Sequence, residues 1–235
     1  MSTDAAPSPA GAAQDPAARP GRGRPARYTQ DDLIEVVAYV FNERGYEAAT
    51  MADLARASGL TKSAFYHHVT GKEQLLRLAV NRALDRLSGV FEEEAHVERP
   101  PVERLERVLT RTTEVLIAEL PYVTLLLRVR GNTAVEREVV DRRRAFDARL
   151  AALVQDAMDA GEIRDDVEPR LVTRLLFGMV NSITQWYRPD AHPQEDAQRT
   201  TDDGHLRAAG DSAGDAAVVR GVVELAMDGL RARRP

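Results

Sequence analysis

The stretch from Thr50 to Leu76 constrains the fold most strongly, because it contains two helix starts separated by a single glycine turn. Thr50 followed by Asp53 is a capping-box pattern, in which a hydroxyl and a carboxylate satisfy the first free amides of a helix. Ser58-Gly59-Leu60 predicts the end of that helix, since glycine accepts the left-handed conformation of a tight exit. Thr61 predicts a second N-cap. Two short helices joined in this way are typical of a helix-turn-helix, whose second helix lies in the major groove of DNA.

The second helix carries groups suited to DNA. The short, cationic or hydrogen-bonding side chains that we expect to reach base edges or phosphates are Thr61, Lys62, Ser63, Tyr66, His67 and His68. Thr70 with Glu73 is a third capping-box pattern, and it places Lys72 at a helix N-terminus, where anions bind. The alternative is an ordinary helical hairpin whose polar groups are only solvated.

Residues from about 29 to 76 resemble the DNA-binding domain of the TetR family of bacterial transcriptional repressors. The matching segments are Phe41–Tyr46, Ala49–Ala55, Gly59–Val69 and Lys72–Leu76. Val69 and Gly71 stand where the family usually has Phe and Ser. The resemblance implies phosphate contacts by Thr50, Tyr66, His67 and Lys72, and base readout by Thr61, Lys62 and Ser63.

Residues 1–26 are rich in Ala, Pro, Gly and Ser and show no periodicity, so we predict a disordered arm. Four arginines and no acid lie between Arg19 and Gln30. Arg22-Gly23-Arg24-Pro25 resembles an AT-hook core, and we therefore predict that Arg22 and Arg24 enter the DNA minor groove. The alternative is a tail that acts through its charge alone.

Composition narrows the class of protein. The 235 residues carry a net charge of −5, so the whole chain is not a non-specific basic nucleic-acid binder. Cysteine is absent, which excludes disulfides and thiolate metal sites, and no metal-ligand spacing or phosphate loop is present. We expect no cofactor, no metal and no catalytic residue. With no apolar run of roughly 18 residues and no apolar signal core, we expect a cytoplasmic protein.

Apolar periodicity predicts an all-α fold: a three-helix helix-turn-helix domain over residues 27–76, then a helical ligand-binding and dimerisation domain over 77–235. The first helix ends at Gly45, with an apolar stripe of Leu33, Ile34, Val37, Val40 and Phe41. Later helices are predicted at 70–94, 102–120, 133–160, from Pro169 to about 187, and 216–230. Pro121 is expected to break a helix before a short apolar segment, and 189–214 to form a flexible connection.

The helix that starts at Pro169 is apolar nearly all round, so we expect both of its faces to be buried. One face serves its own core and the other needs a partner. Together with the last helix, it predicts a four-helix interface in a homodimer. A dimer would also read two half-sites about 34–36 Å apart or a multiple of that distance.

Polar groups on the apolar faces of the central helices predict a ligand cavity. The candidates are Arg111, Glu114, Asn181, Gln185 and Trp186. Each has a plainer explanation, as an exposed ion pair or as a core or dimer contact. The segment Gly178–Pro189 resembles TetR-family members that respond to acyl-CoA thioesters, although Ser182 stands where they carry an aromatic residue.

A CoA ester needs cations for its phosphates, and the plausible ones are Arg128, Arg130, Arg142 and Arg188. We interpret the run Arg142–Arg144 as a solvated face. The resulting hypothesis is a repressor that binds a palindromic operator as a dimer and is released by a small molecule. The candidate effector is an acyl-CoA thioester from fatty-acid, sterol or aromatic-acid catabolism. A multidrug sensor that controls efflux is the alternative regulator. An enzyme and a constitutive architectural DNA-binding protein are the rival classes.

Overall fold

The structure is a computed structural model that describes residues 29–61, 63, 65–66, 69–188 and 212–231. Within these ranges the chain forms eight helices of defined extent and no β-strand: α1 Gln30–Arg44, α2 Met51–Ala57, α3 Lys72–Glu94, α4 Pro101–Ala118, α5 Leu120–Arg128, α6 Ala134–Asp159, α7 Pro169–Trp186 and α8 Ser212–Leu230. The predicted all-α class is confirmed. The arm at 1–26 lies outside the described residues, as does most of the predicted connection.

Helices α1 and α2 both begin at a capping box. For α2 the predicted pair is confirmed, with the Asp53 amide donating to the Thr50 hydroxyl at 3.1 Å. For α1 the Asp32 amide donates to the Thr29 hydroxyl at 3.2 Å. We did not predict this capping box from the sequence. All five residues of the predicted apolar stripe on α1 are buried, and Leu54 and Phe65 pack with them.

The third predicted capping box is wrong. Helix α3 begins at Lys72 and its N-cap, Gly71, is extended and offers no side-chain cap. The Thr70 amide and hydroxyl instead donate to Oε1 of Gln74 at 2.6 and 2.8 Å, so an amide one position beyond Glu73 completes the turn.

Pro121 does not separate a helix from an irregular segment. Helix α4 ends at Ala118, and Pro121 is the second residue of α5, where a missing amide proton leaves no hydrogen bond unmade. The short apolar segment that we predicted after it is therefore helical. Helix α8 begins at Ser212 rather than at Ala216.

Helix α3 connects the two ends of the molecule. It packs against α1 at its start and against α4, α5 and α6 further along. Its 23 residues span about 35 Å at 1.5 Å per residue, and the boundary that we predicted after residue 76 falls inside it. One continuous hydrophobic core runs through both ends. None of the described helices is long and apolar enough to cross a membrane.

Helix α7 is buried on one side only within this chain. Val172, Leu176, Val180 and Ile183 lie in the core. On the other side Leu171 and Leu175 are 46% and 62% exposed, and Trp186 is 56% exposed. The expectation that both faces are buried is thus not met inside one chain.

Lys72 holds the chain between α1 and α2 in place. Its Nζ donates to the backbone carbonyls of Tyr46, Glu47 and Ala49 at 2.7, 3.1 and 3.3 Å. The same ammonium lies 4.5 Å from the centre of the Tyr46 ring, a cation–π contact. All three ammonium protons are therefore used on the segment that delivers the chain to Thr50.

We expect Lys72→Ala to destabilise the protein by about 1–3 kcal/mol, because three carbonyls lose a charged donor. Urea unfolding of the full chain measures this. Arg77→Ala is the matched control, since Arg77 lies on the same helix and forms an exposed ion pair with Glu138, worth about 0–1 kcal/mol. Equal losses in the two variants would show that the Lys72 contacts do not stabilise the turn.

Candidate DNA-binding surface and effector cavity

The turn after α2 has the geometry that a helix-turn-helix requires. Gly59 adopts a φ of 66°, which favours glycine. The buried Ser58 hydroxyl donates to the Ala55 carbonyl at 2.9 Å and closes the end of α2. The Phe65 amide donates to the Thr61 carbonyl at 2.9 Å, and Phe65 is fully buried against the core. The chain that follows the turn is thereby anchored on one side.

The opposite side of this segment is exposed. Thr61, Ser63 and Tyr66 all face solvent, and Tyr66 is 46% exposed. These are three of the residues that we predicted to contact DNA. Lys62 and His67, together with Arg22 and Arg24 of the arm, lie outside the described residues.

Thr50 is exposed, and its polar groups are engaged by Asp53. Its hydroxyl and amide donate to the Asp53 carboxylate at 2.6 and 3.1 Å. These hydrogen bonds, with smaller contributions from Arg44 and Arg56, hold the pKa of Asp53 below its usual range. The carboxylate is therefore ionised at neutral pH, and the start of α2 is rigidly capped.

A cavity of about 760 Å³ lies inside the second half of the molecule, where five helices meet. Most of its lining is apolar: Leu84 and Leu87 of α3, Leu116 of α4, Val123, Leu126 and Leu127 of α5, Phe146, Ala148 and Ala151 of α6, and Phe177 and Gly178 of α7. Helix α7 contributes a single face at helical spacing, from Arg170 through Arg174 and Phe177 to Asn181. The exposed Leu171 and Leu175 lie on another face of α7.

The cavity opens to solvent among basic side chains. Arg144, Arg170 and Arg174 line it and are exposed, and Arg143 is half-buried beside them. Asp147 is the acid in this lining; desolvation raises the pKa of its carboxyl, and nearby Arg143 opposes that rise. The opening is therefore positively charged, with an apolar interior behind it.

The structure brings only part of the predicted ligand set to this cavity. Asn181 lines it. Arg111 instead forms ion pairs with Glu93 and Glu114, and Glu114 lines a separate groove of about 570 Å³ between α4 and α8. Gln185 and Trp186 are exposed and are not part of the lining.

The predicted phosphate-binding cations are also placed elsewhere. Arg142 donates to Asp85 at 2.7 Å, and Arg128 donates to the Asn42 carbonyl. The arginines at the opening were missed, since the interpretation of Arg142–Arg144 as one solvated face treated three residues alike. The spacing of Arg170 and Arg174, one turn apart at the start of a helix, is the sequence signal that could have indicated a basic opening. Among the described residues, no group of three or more His, Asp or Glu side chains could hold a metal ion.

A polar seam joins the cavity wall to α1. The Asn42 side-chain amide donates to the Pro121 carbonyl at 2.7 Å, and Arg128 returns a hydrogen bond to the Asn42 carbonyl. Both partners of Asn42 lie on α5, and Val123 between them lines the cavity. These two hydrogen bonds therefore tie α5 to the first helix of the helix-turn-helix unit.

Arg82 of α3 braces the same seam. Its Nε donates to the buried Glu119 at 2.7 Å, at the junction of α4 and α5. Its guanidinium lies 4.6 Å from the centre of the Tyr122 ring and 3.9 Å from Asp31 of α1. Three helices are thus tied to one side chain.

Two family models match the chain. Residues 33–79 match the model described as bacterial regulatory proteins, tetR family, which covers the helix-turn-helix unit. Residues 98–200 match the tetracyclin repressor-like C-terminal domain, which covers the helices around the cavity.

Individual proteins agree with these matches. The chain is 51% identical to SCO3833, a member of the TetR transcriptional regulator family from Streptomyces coelicolor A3; the match covers 85% of this chain and 91% of that one, with a TM-score of 0.72. It is 27% identical over 170 residues to the HTH-type transcriptional repressor KstR2 of Rhodococcus jostii (strain RHA1), covering 71% of this chain and 82% of the relative.

A third protein was crystallised with ligands. The chain is 25% identical to AibR, whose structure in complex with isovaleryl coenzyme A and operator DNA matches 83% of this chain and 96% of that one, with a TM-score of 0.63. Since sequence and structure agree over both the helix-turn-helix unit and the helices around the cavity, the chain belongs to the TetR family of DNA-binding transcriptional regulators.

Proposed function

We propose that this protein is a repressor that binds a palindromic operator as a homodimer in the cytoplasm and releases it when an acyl-CoA thioester occupies the cavity. The observation that carries the proposal is a cluster of arginines at the opening of an apolar cavity whose wall is hydrogen-bonded to the helix-turn-helix unit. AibR, which binds isovaleryl coenzyme A and operator DNA, supports it as a relative.

The cavity suits the two halves of a CoA ester. A volume of about 760 Å³ falls in the range of roughly 300–1,000 Å³ that is usual for small-molecule sites. Its apolar wall would take the acyl chain. Arg144, Arg170 and Arg174 at the opening would bind the phosphates, since guanidinium groups pair with phosphate oxygens in two parallel hydrogen bonds.

A multidrug sensor is less consistent with this lining. Cationic drugs are bound by acids and by the faces of aromatic rings. The lining has one acid, Asp147, against four arginines, and its aromatic residues are Phe146 and Phe177. A positively charged opening repels a cationic ligand.

The main experiment is fluorescence anisotropy of the full-length protein on DNA from its own upstream region, at fixed salt, titrated with CoA esters of several acyl types. We expect release at micromolar concentration. Replacing Arg170 and Arg174 by Ala should raise the concentration needed about tenfold or more, because charged hydrogen bonds to phosphate are lost.

Arg137→Ala is the control for that experiment. It removes one positive charge, against two in the double variant, from an exposed position on α6 that is not part of the cavity lining. It should leave release unchanged. Tight DNA binding that no CoA ester disturbs would support the proposal that the protein is a DNA-binding regulator, but it would contradict an acyl-CoA effector.

The coupling would run through α5. In this proposal the ligand binds more tightly to a conformer in which α5 is displaced. Because Asn42 is bonded to α5, α1 moves with it and leaves the DNA-binding arrangement. The coupling free energy need be only about 1–3 kcal/mol, a 5–150-fold loss of DNA affinity. Such a ligand shifts a population of two conformers that already exist.

We expect Asn42→Ala to weaken this coupling while the effector still binds, because the link between α1 and α5 is lost. The loss should amount to about 0.5–2 kcal/mol, measured as the effector affinity with and without saturating DNA. Asn81→Ala is the matched control, since Asn81 accepts a hydrogen bond from Arg142 away from the seam. Unchanged coupling in Asn42→Ala would mean that the signal follows another route.

On the DNA side, we propose that Thr61, Lys62 and Ser63 read bases and that Thr50, Tyr66 and His67 contact phosphates, with Arg22 and Arg24 in the minor groove. For Lys72 the carbonyl contacts favour an indirect role, in which it holds the turn that presents Thr50. A direct phosphate contact would make Lys72→Ala flatten the salt dependence of binding by about one unit of slope.

For the homodimer we propose the exposed faces of α7 and α8. Leu171 and Leu175 lie one turn apart on α7, and Leu225 of α8 is 71% exposed. Val218 and Val222 precede Leu225 on the same face of α8. Two copies of this pair of helices would form a four-helix interface.

We expect Leu175→Glu to raise the dimer dissociation constant by about 100-fold or more, because a buried unpaired carboxylate is strongly unfavourable. Sedimentation velocity measures this, and operator binding should fall with it. Val97→Glu is the control, since Val97 is an exposed apolar residue in the loop between α3 and α4. A Leu175→Glu protein that remains dimeric would place the interface elsewhere.

A further inference from the structure

Thr112 is an exception among the threonines of α4. The Thr110 and Thr113 hydroxyls each donate to the carbonyl four residues earlier, on Glu106 and Leu109, at 2.8 Å. Thr112 is only 3% exposed, and its hydroxyl has no hydrogen-bond partner. Thr112 therefore does not make the hydrogen bond to a carbonyl of its own helix that threonines in helices commonly make.

A buried hydroxyl without a partner is uncommon, since the large majority of buried polar side-chain atoms are hydrogen-bonded. Folding alone gives no reason for one at this position, because an aliphatic side chain would fill the space without the unmet hydrogen bond. Thr112 lines the cavity. Its hydroxyl, itself buried, is thus a donor and acceptor beside the cavity that no protein group uses.

Burial shows where along the cavity this hydroxyl lies. The exposed lining residues, including Arg144, Arg170 and Arg174, mark the opening. Thr112 is buried together with Leu116 and other apolar lining residues, so it belongs to the inner wall. A molecule bound with its anionic end at the arginines meets Thr112 with its apolar end.

We infer that the effector's acyl group carries a keto or hydroxyl oxygen that hydrogen-bonds to Thr112, and that Thr112 determines specificity for such oxygenated acyl chains. The inference rests on the proposed acyl-CoA function. Along a CoA ester the order is phosphates, thioester, acyl chain, so the atoms that reach the inner wall belong to the acyl chain rather than to the thioester. A saturated chain would leave the hydroxyl unpaired, and a site built to pair a polar group discriminates against a ligand that lacks it.

The test uses pairs of CoA esters that are identical except for one keto or hydroxyl oxygen, placed at successive carbons from the third carbon of the acyl chain outward. Binding to the full-length dimer is measured by calorimetry, and operator release by anisotropy. We expect the wild type to prefer the oxygenated member about tenfold at one position, the effect of one well-placed hydrogen bond.

Thr112→Val keeps the branched shape and removes the hydroxyl. We expect it to abolish the preference by weakening only the oxygenated ester. Thr113→Val is the matched control: Thr113 is equally buried on the same helix, but its hydroxyl is bonded to Leu109 and it does not line the cavity. It should retain the preference. Thermal unfolding should show no loss of stability in Thr112→Val, because no hydrogen bond within the protein is removed.

The outcomes separate the inference from the function on which it rests. Equal binding of both members of every pair by the wild type, or a preference that survives in Thr112→Val, would overturn the inference while leaving an acyl-CoA repressor intact. Equal weakening of saturated and oxygenated esters in Thr112→Val would assign the hydroxyl to the thioester carbonyl and also overturn it. If no CoA ester binds at all, the proposed effector fails and the inference fails with it.

Discussion

Helix α3 packs against helices at both ends of the molecule, so the relative position of the two ends depends on it. Leu75 and Leu76 near its start complete the core under the helix-turn-helix, and Leu84 and Leu87 further along form part of the cavity wall. A single helix of about 35 Å therefore joins the two regions. A rearrangement around the cavity that moved α3 would also move the DNA-facing surface.

Helix α5 makes that dependence specific. Its Val123, Leu126 and Leu127 line the cavity, while its ends are bonded to Asn42 of α1. The helix is short and contacts both the cavity and α1. Burial of Glu119 with Arg82 at its start favours one arrangement, because separating a buried ion pair leaves a charge without a partner.

Helix α7 presents different residues to the cavity and to solvent. Arg170, Arg174, Phe177 and Asn181 face the cavity at helical spacing, whereas Leu171 and Leu175 face away from the chain. Apolarity nearly all round predicted two buried faces, and the structure shows one buried in the chain and one exposed. Ligand and partner would thus contact different sides of a single helix, which offers a route for coupling effector binding to the geometry of a dimer.

Features that depend on neighbours in sequence were determined by the sequence alone. The capping box of Thr50 and Asp53, the left-handed Gly59 and the apolar stripe of α1 follow from rules that operate over three or four residues. The same kind of rule also misled, since Thr70 pairs with Gln74 and Pro121 begins a helix. Which of two adjacent residues completes a turn depends on backbone geometry that a pattern of residue types does not specify.

The position and lining of the cavity could not be predicted from local patterns. Its lining is drawn from five helices between Leu84 and Asn181, and no local pattern shows which of their polar residues converge. Arg111 and Glu114 pair with one another, whereas Arg143 and Arg144 reach the opening. Arg144 also pairs with Asp141, and Arg142 pairs with Asp85. The unpartnered hydroxyl of Thr112 is equally invisible in sequence, because Thr110 and Thr113 look the same and differ only in what surrounds them. Long-range packing sets those surroundings, and with them the function of each side chain.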